Sequence, residues 1–195
     1  YAYQNIGFDT ATEIVEKLTG QDYASAARTR LFAPLGMATA SVGRAGLESA
    51  TNWAQPHRLN KLPTTVNDSY YRVPAAGGVN SSINDLLRWM QAQAGGAPDV
   101  LPPALLETLH QPRIATPPTR RRGPVDRALK DAAYGLGWRS YTYAGHRLVG
   151  HRGSVDGYRS LILFDPAAKA GIVMLWNSNY GKAGGLQLEF FDLLY

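Results

Sequence analysis

The feature that most constrains this chain is a change of period in its apolar pattern near Tyr134. Before it, apolar residues recur at helical spacing; after it come short extended runs at Leu136, 138–143, 147–149, 158–164 and 172–176. Ala144-Gly145 and Asp165-Pro166-Ala167-Ala168, which separate two of these runs, are turn material. They are far too short for the crossover of a dozen or more residues that a parallel pair requires. An antiparallel meander follows, with 185–195 expected as a helix against one face. The fold class is therefore α+β: a helical half followed by an antiparallel sheet with a C-terminal helix.

In the helical half, Thr10-Ala11-Thr12-Glu13 has the pattern of a capping box. It predicts a helix with Ile14, Val15 and Leu18 on one face and a stop at Gly20. Asp22 can cap a second helix through Tyr23, Ala27 and Leu31 that Pro34 breaks, and the two helices should be neighbours. Residues 41–79 lack periodicity and are rich in Gly, Pro, Asn and Thr, an irregular stretch of the kind that lines binding sites. Ser82 opens a further helix with Asp85 in its first turn and Leu86, Leu87 and Met90 inward, ending at Gly95-Gly96. Residues 103–110 read as a short helix.

The length of 195 residues, with 45% hydrophobic and 18% charged, suits one globular core. No run approaches the ~18 apolar residues of a membrane span, and residues 1–5 lack the basic and apolar regions of a signal peptide. With no cysteine, disulfides, thiolate zinc sites and a Cys nucleophile are excluded. The four histidines form neither His-x-His nor His-Glu-x-x-His, so no catalytic metal and no cofactor are expected. The net charge of +5 owes much to Arg113, Arg120, Arg121, Arg122 and Arg127, set among Pro112, Pro117, Pro118, Gly123 and Pro124. No aromatic residues are interleaved to stack bases, so this segment reads as a solvated loop and not as a nucleic-acid contact.

Two short patterns carry chemistry. Tyr3-Gln4-Asn5 stands before the first helix, and Gly150-His151-Arg152-Gly153-Ser154 stands in the extended half. Together they resemble the Tyr-x-Asn and Lys/His-x-Gly motifs of penicillin-recognising serine hydrolases of the class C beta-lactamase type. The segments 31–37 (LFAPLGM), 74–79 (PAAGGV) and 134–138 (YGLGW) resemble the same family, so the likeness runs along essentially the whole chain.

The resemblance implies acyl transfer: a serine of a Ser-x-x-Lys helix attacks a carbonyl and loses its proton to a Lys–Tyr pair. Tyr3 would be that tyrosine. An unperturbed phenol titrates near 10, so the role requires a nearby cation or a relay through the lysine. Asn5 would orient the lysine and bond the substrate amide, as a group offering both donor and acceptor can. Gly153 would admit a substrate backbone, and the Ser154 N–H would point at the developing oxyanion. His151 stands where dedicated class C beta-lactamases carry lysine; a titrating imidazole weakens the hold on a beta-lactam carboxylate and favours esterase or peptidase use.

The chain contains no Ser-x-x-Lys. Ser25, Ser41 and Ser69 are each followed at the third position by arginine, Arg28, Arg44 and Arg72, and a guanidinium cannot accept a proton. Arg152 occupies the first glycine position of Gly-x-Ser-x-Gly around Ser154, which excludes a nucleophile elbow.

In the family the nucleophile motif precedes Tyr-x-Asn. Residues 1–195 are therefore expected to be the C-terminal portion of one beta-lactamase-like domain whose N-terminal region is absent, leaving an open sheet edge and an uncovered apolar face. A homo-oligomer or an N-terminal fragment would cover them. The expected substrate is a small ester, amide, beta-lactam or peptidoglycan-like molecule, and the resemblance implies export to a bacterial periplasm or exterior. The alternative is a non-catalytic ligand-binding or interaction domain that keeps the fold without the chemistry.

Overall fold

The computed structural model describes residues 1–59, 62–116, 127–180 and 185–195. Most of the arginine-rich loop expected from the sequence, including Arg120, Arg121 and Arg122, lies outside the described residues. The helical layer comprises α1 (Asn5–Thr19), α2 (Tyr23–Ala27) running into a π-helical turn (Arg28–Phe32), the short α3 (Arg44–Glu48) and α4 (Pro74–Gly77), α5 (Ile83–Gln91) and α6 (Pro103–His110). A two-stranded ribbon, β1 (Ser41–Val42) with β2 (Val79–Asn80), closes the ends of the irregular stretch.

The antiparallel meander is β3 (Ile114–Ala115), β4 (Lys130–Tyr134), β5 (Arg139–Tyr143), β6 (His146–Val155), β7 (Tyr158–Asp165) and β8 (Ala170–Trp176), in spatial order of sequence. α7 (Leu186–Leu194) packs on one face. At the β5–β6 turn Ala144 and Gly145 take φ of 48° and 84°, the two positive values that a two-residue hairpin with right-handed strand twist requires. At the β7–β8 turn an Asp165 carboxylate oxygen accepts the N–H groups of Ala167 and Ala168 at 2.8 and 3.1 Å, a side-chain-closed turn.

Several local expectations need revision. α1 begins at Asn5, before Thr10, whose hydroxyl donates to the Gly7 carbonyl inside the helix and caps nothing. Gly20 ends α1 in the left-handed conformation, and Asp22 caps α2 by accepting the Ser25 N–H at 2.9 Å. The two helices are neighbours, tied by Glu16, which accepts the Tyr23 N–H at 2.9 Å. In α5, Ser82 accepts the Asp85 N–H at 3.3 Å as expected. Leu87, however, is exposed, while Trp89 packs inward and Asp85 is buried by hydrogen bonds from Thr39 and Ser82. β4 has one leading charged pair and two alanines, too little apolar pattern to register as a strand in the sequence.

The core lies on both faces of the sheet. Leu148, Leu161 and Leu163 pack with Phe191 of α7, while Val149, Phe164 and Trp138 pack against Trp89 and Met90 of α5. Consecutive residues Leu148 and Val149 thus point to opposite faces. By the strand period of two, His151 and Gly153 fall on the Val149 side, toward the helical layer. A separate cluster of Phe32, Leu35, Met37, Ala92, Leu101 and Leu106 holds the helices together.

Two apolar features remain uncovered. β8, of sequence AGIVMLW, is an edge strand with nothing paired on its outer side among the described residues. The ridge Ile6–Thr10–Ile14–Leu18 of α1 leaves Ile6, Ile14 and Leu18 at 72%, 56% and 80% exposure.

Candidate active-site cleft

Tyr3 and Asn5 sit where the chain enters α1. One Asp9 carboxylate oxygen fixes that entry by accepting the backbone N–H of Ala75 at 3.2 Å and the Thr12 hydroxyl at 3.0 Å, which docks α1 onto α4. This brings the N-terminal end of the chain to the open half of β6. The Tyr3 ring lies 6.0 Å from the His151 ring. Tyr3, Asn5, His151, Gly153 and Ser154 all line one open cleft of about 1720 Å³, whose other wall comes from the irregular stretch through Trp53, Tyr70, Tyr71 and Asn80. Asn5 makes no side-chain hydrogen bond among the described residues, so its amide faces the cleft with both donor and acceptor available.

Two residues missed as site members by sequence reasoning complete the constellation. Tyr134, at the end of β4 and almost fully buried, brings its hydroxyl to 3.0 Å from Nε2 of His151. Its ring packs against Tyr1, Tyr3 and Phe8 at 5.5 to 6.1 Å between centroids. Arg139, at the start of β5 and directly across from Tyr134, donates to the Tyr1 hydroxyl at 3.0 Å and lies over the Tyr1 and Tyr134 rings at 5.6 and 5.2 Å. No carboxylate among the described residues lies within ion-pair distance of it. The only sequence signal for either was the segment 134–138, read as family likeness alone.

The electrostatics follow from this packing. Burial, reinforced by neighbouring Tyr1, raises the Tyr3 phenol above its ordinary value; Arg139 pulls it down but does not prevail. Tyr3 is therefore a neutral phenol near pH 7. Tyr134 is pushed up to about 12, chiefly by burial and then by Tyr3. Burial holds His151 below the usual imidazole value; a hydrogen bond with the Arg152 backbone opposes this and the Arg139 charge adds to it. The titrating imidazole expected from the sequence is thus a neutral ring at pH 7, and Arg139 is the cation beside it.

Gly153 is required by geometry as well as by any ligand. A Cβ there would lie 2.3 Å from the Ser160 hydroxyl oxygen, which stands across the ladder on β7 and fills that space. Ser154 pairs with Arg159, and by the strand alternation its side chain points to the face opposite His151. Only its backbone can serve the His151 side. Among the described residues no three His, Asp or Glu converge as a metal site. Proton donors, an amide, a neutral imidazole and the guanidinium of Arg139, with Arg152 and Arg159 also on the lining, can bind and polarise a carbonyl compound with an anionic substituent.

The beta-lactamase family profile matches residues 1–194. The chain belongs to the beta-lactamase family. Among its relatives, an unguisins hydrolase of Aspergillus campestris is 29% identical over 187 residues, covering 93% of this chain and 34% of the relative. A D-aminopeptidase of Brucella anthropi is 27% identical over 161 residues, 82% of this chain and 28% of the enzyme. The chain thus spans about a third of the length of the curated relatives it matches. The octameric penicillin-binding protein homologue of Pyrococcus abyssi superposes with a TM-score of 0.86 at 24% identity, over 100% of this chain and 42% of that one. That likeness shows the beta-lactamase-like fold of α helices and antiparallel sheet. No helix among the described residues is long and apolar enough to cross a membrane.

Proposed function

We propose that residues 1–195 supply half of the active site of a serine hydrolase that opens amide or ester bonds through an acyl-serine intermediate. The Ser-x-x-Lys pair would come from chain outside this sequence. The carrying observation is that Tyr3 and Asn5, from one end of the chain, and His151 and Gly153, from near the other, line a single cleft. The hydrolase relatives support the reaction class.

In this reading the serine oxygen attacks the substrate carbonyl as its proton passes to Tyr3, while the Tyr3 phenolic proton moves to the unprotonated lysine. Because Tyr3 is a neutral phenol, it works as a two-proton relay and never accumulates as phenolate. The developing oxyanion takes the Ser154 N–H and the N–H of the incoming serine, and loss of one such donor costs on the order of 10² to 10³ in rate. Asn5 bonds the acyl-side amide of the substrate. Collapse expels the amine or alcohol, which takes the proton held by the lysine, and water then releases the acyl group by the same relay in reverse.

Arg139 sets the charge preference. It is a half-buried cation with no carboxylate partner among the described residues, held in place by two tyrosine rings at the cleft. A substrate carboxylate would neutralise it, and His151, being neutral, cannot do this work. Small peptides or amides with a free carboxylate fit the site better than neutral esters. The test is kcat/KM of the complete gene product on a matched pair, a peptide with a free carboxylate and its amide. A preference for the carboxylate of roughly tenfold or more, abolished by Arg139→Ala, is expected. Equal rates on both would remove Arg139 from recognition.

The exposed α1 ridge and the open edge of β8 would be covered in the whole protein by the N-terminal segment or by a second subunit; the octameric state of the Pyrococcus homologue supports the latter.

A further inference from the structure

The Tyr134–His151 contact joins two groups that each have a choice of role. A neutral imidazole can donate or accept at Nε2, and a phenol can do either. Three observations decide between them. Tyr134 is a buried residue, 8% exposed, and His151 Nε2 is the one partner of its hydroxyl among the described residues. Were Nε2 to donate, the phenolic hydrogen would be left with no acceptor inside the fold, a loss of roughly 1–3 kcal/mol. The Tyr134 ring cannot turn away to seek another acceptor, because Tyr1, Tyr3 and Phe8 pack around it and Arg139 lies over it.

We propose that Tyr134 is a positioning residue of the cleft: its hydroxyl, donated to Nε2, fixes the ring orientation of His151 and places the single imidazole proton on Nδ1. The imidazole also has a hydrogen bond with the Arg152 backbone, so the ring is held by two partners. His151 becomes a fixed neutral dipole, and it acts neither as a general acid nor as a cation for the substrate. The Tyr134 hydroxyl would also disfavour imidazolium, since a protonated Nε2 would turn a donor against a donor.

This inference stands on geometry and does not require the hydrolase reading, although it supplies that reading with the reason Arg139 carries the positive charge. The experiment is ¹⁵N NMR of the imidazole nitrogens of His151 in this chain as it exists, followed through pH 4 to 9. In the native chain Nε2 is expected at the shift of an unprotonated, hydrogen-bonded nitrogen and Nδ1 at that of a protonated one. In Tyr134→Phe, which keeps the ring and its packing, the His151 titration is expected to move upward in pH and the two tautomers to mix.

A protonated Nε2 in the native neutral ring would overturn the proposal, as would an unchanged titration and tautomer in the variant. The native spectrum decides the question even if the variant fails to fold. Failure of the hydrolase reading is separately visible, because the tautomer would still be fixed while the complete gene product showed no acyl-enzyme.

Discussion

At the scale of single residues, the chemistry of the cleft turns on proton positions. Tyr3→Phe in the complete gene product should lower kcat by on the order of 10² or more, the usual worth of a positioned proton carrier, while leaving the unfolding midpoint close to wild type because phenylalanine keeps the packing of a ring that is only half buried. Near-normal turnover in a steady-state assay would take Tyr3 out of the relay.

A second residue reports on stability alone. His110 is buried against Gln93, Trp138 and Phe164, and burial, with help from Arg147, pushes its imidazole down to about 4. The folded state therefore refuses a proton that the unfolded chain accepts at about 6.5. Stability contributed by neutral His110 is complete above that value and is lost as pH falls from about 6.5 toward about 4, by at most ~3 kcal/mol. Urea unfolding at pH 7.5 and pH 4.5 measures this, and His110→Gln should flatten that part of the profile. An unaltered slope in the variant would assign the loss to other groups.

At the scale of elements, β6 carries the site because its two halves do different work. Its first residues pair with β5, Val149 and Gly150 pair with both β5 and β7, and from His151 onward the strand is paired only with β7 and opens to the cleft. Glycines let the strand pack at both ends of this boundary. A Cβ on Gly150 would meet the Ile162 carbonyl oxygen at 2.3 Å, a backbone atom that cannot step aside, whereas a Cβ on Gly153 would meet only the Ser160 side chain.

Gly150→Ala should accordingly destabilise by ~1–3 kcal/mol, and Gly153→Ala by clearly less. The paired substitution Gly153→Ala with Ser160→Gly should recover the loss at the second position. Thermal unfolding of the four proteins checks the order; equal losses at both glycines would contradict this reading of the strand.

Elements also show what the sequence could and could not reveal. Strands β5 to β8 of the meander were legible because their runs are apolar, closely spaced and separated by clear turns, and the caps at Asp22 and Ser82 were legible because a short polar side chain before an apolar run has few other uses. The start of α1 was not. Thr10 offered a stronger local capping pattern than Gln4, which caps with no side-chain bond. The first turn is docked by the long-range hydrogen bond from the Ala75 N–H to Asp9, a contact invisible to local periodicity. For the same reason Tyr134 and Arg139 escaped notice as site residues: neither has a chemical signature in its neighbourhood, and both gain meaning only when β4 and β5 set them side by side against Tyr1 and His151.

At the scale of the whole molecule, the described residues build a continuous meander, a helical layer and an open cleft between them, and they leave an apolar helix ridge and an apolar edge strand open. Membership of the beta-lactamase family, together with the absence of Ser-x-x-Lys from the sequence, frames the central proposal that this chain supplies half of an active site whose nucleophile lies elsewhere. Intact-mass labelling tests it most directly, with a fluorophosphonate and a penicillin probe applied in parallel to this chain and to the complete gene product. The account predicts one covalent adduct on the longer protein, on a serine outside residues 1–195, and none on this chain. A stoichiometric adduct on the 195-residue chain itself would contradict it.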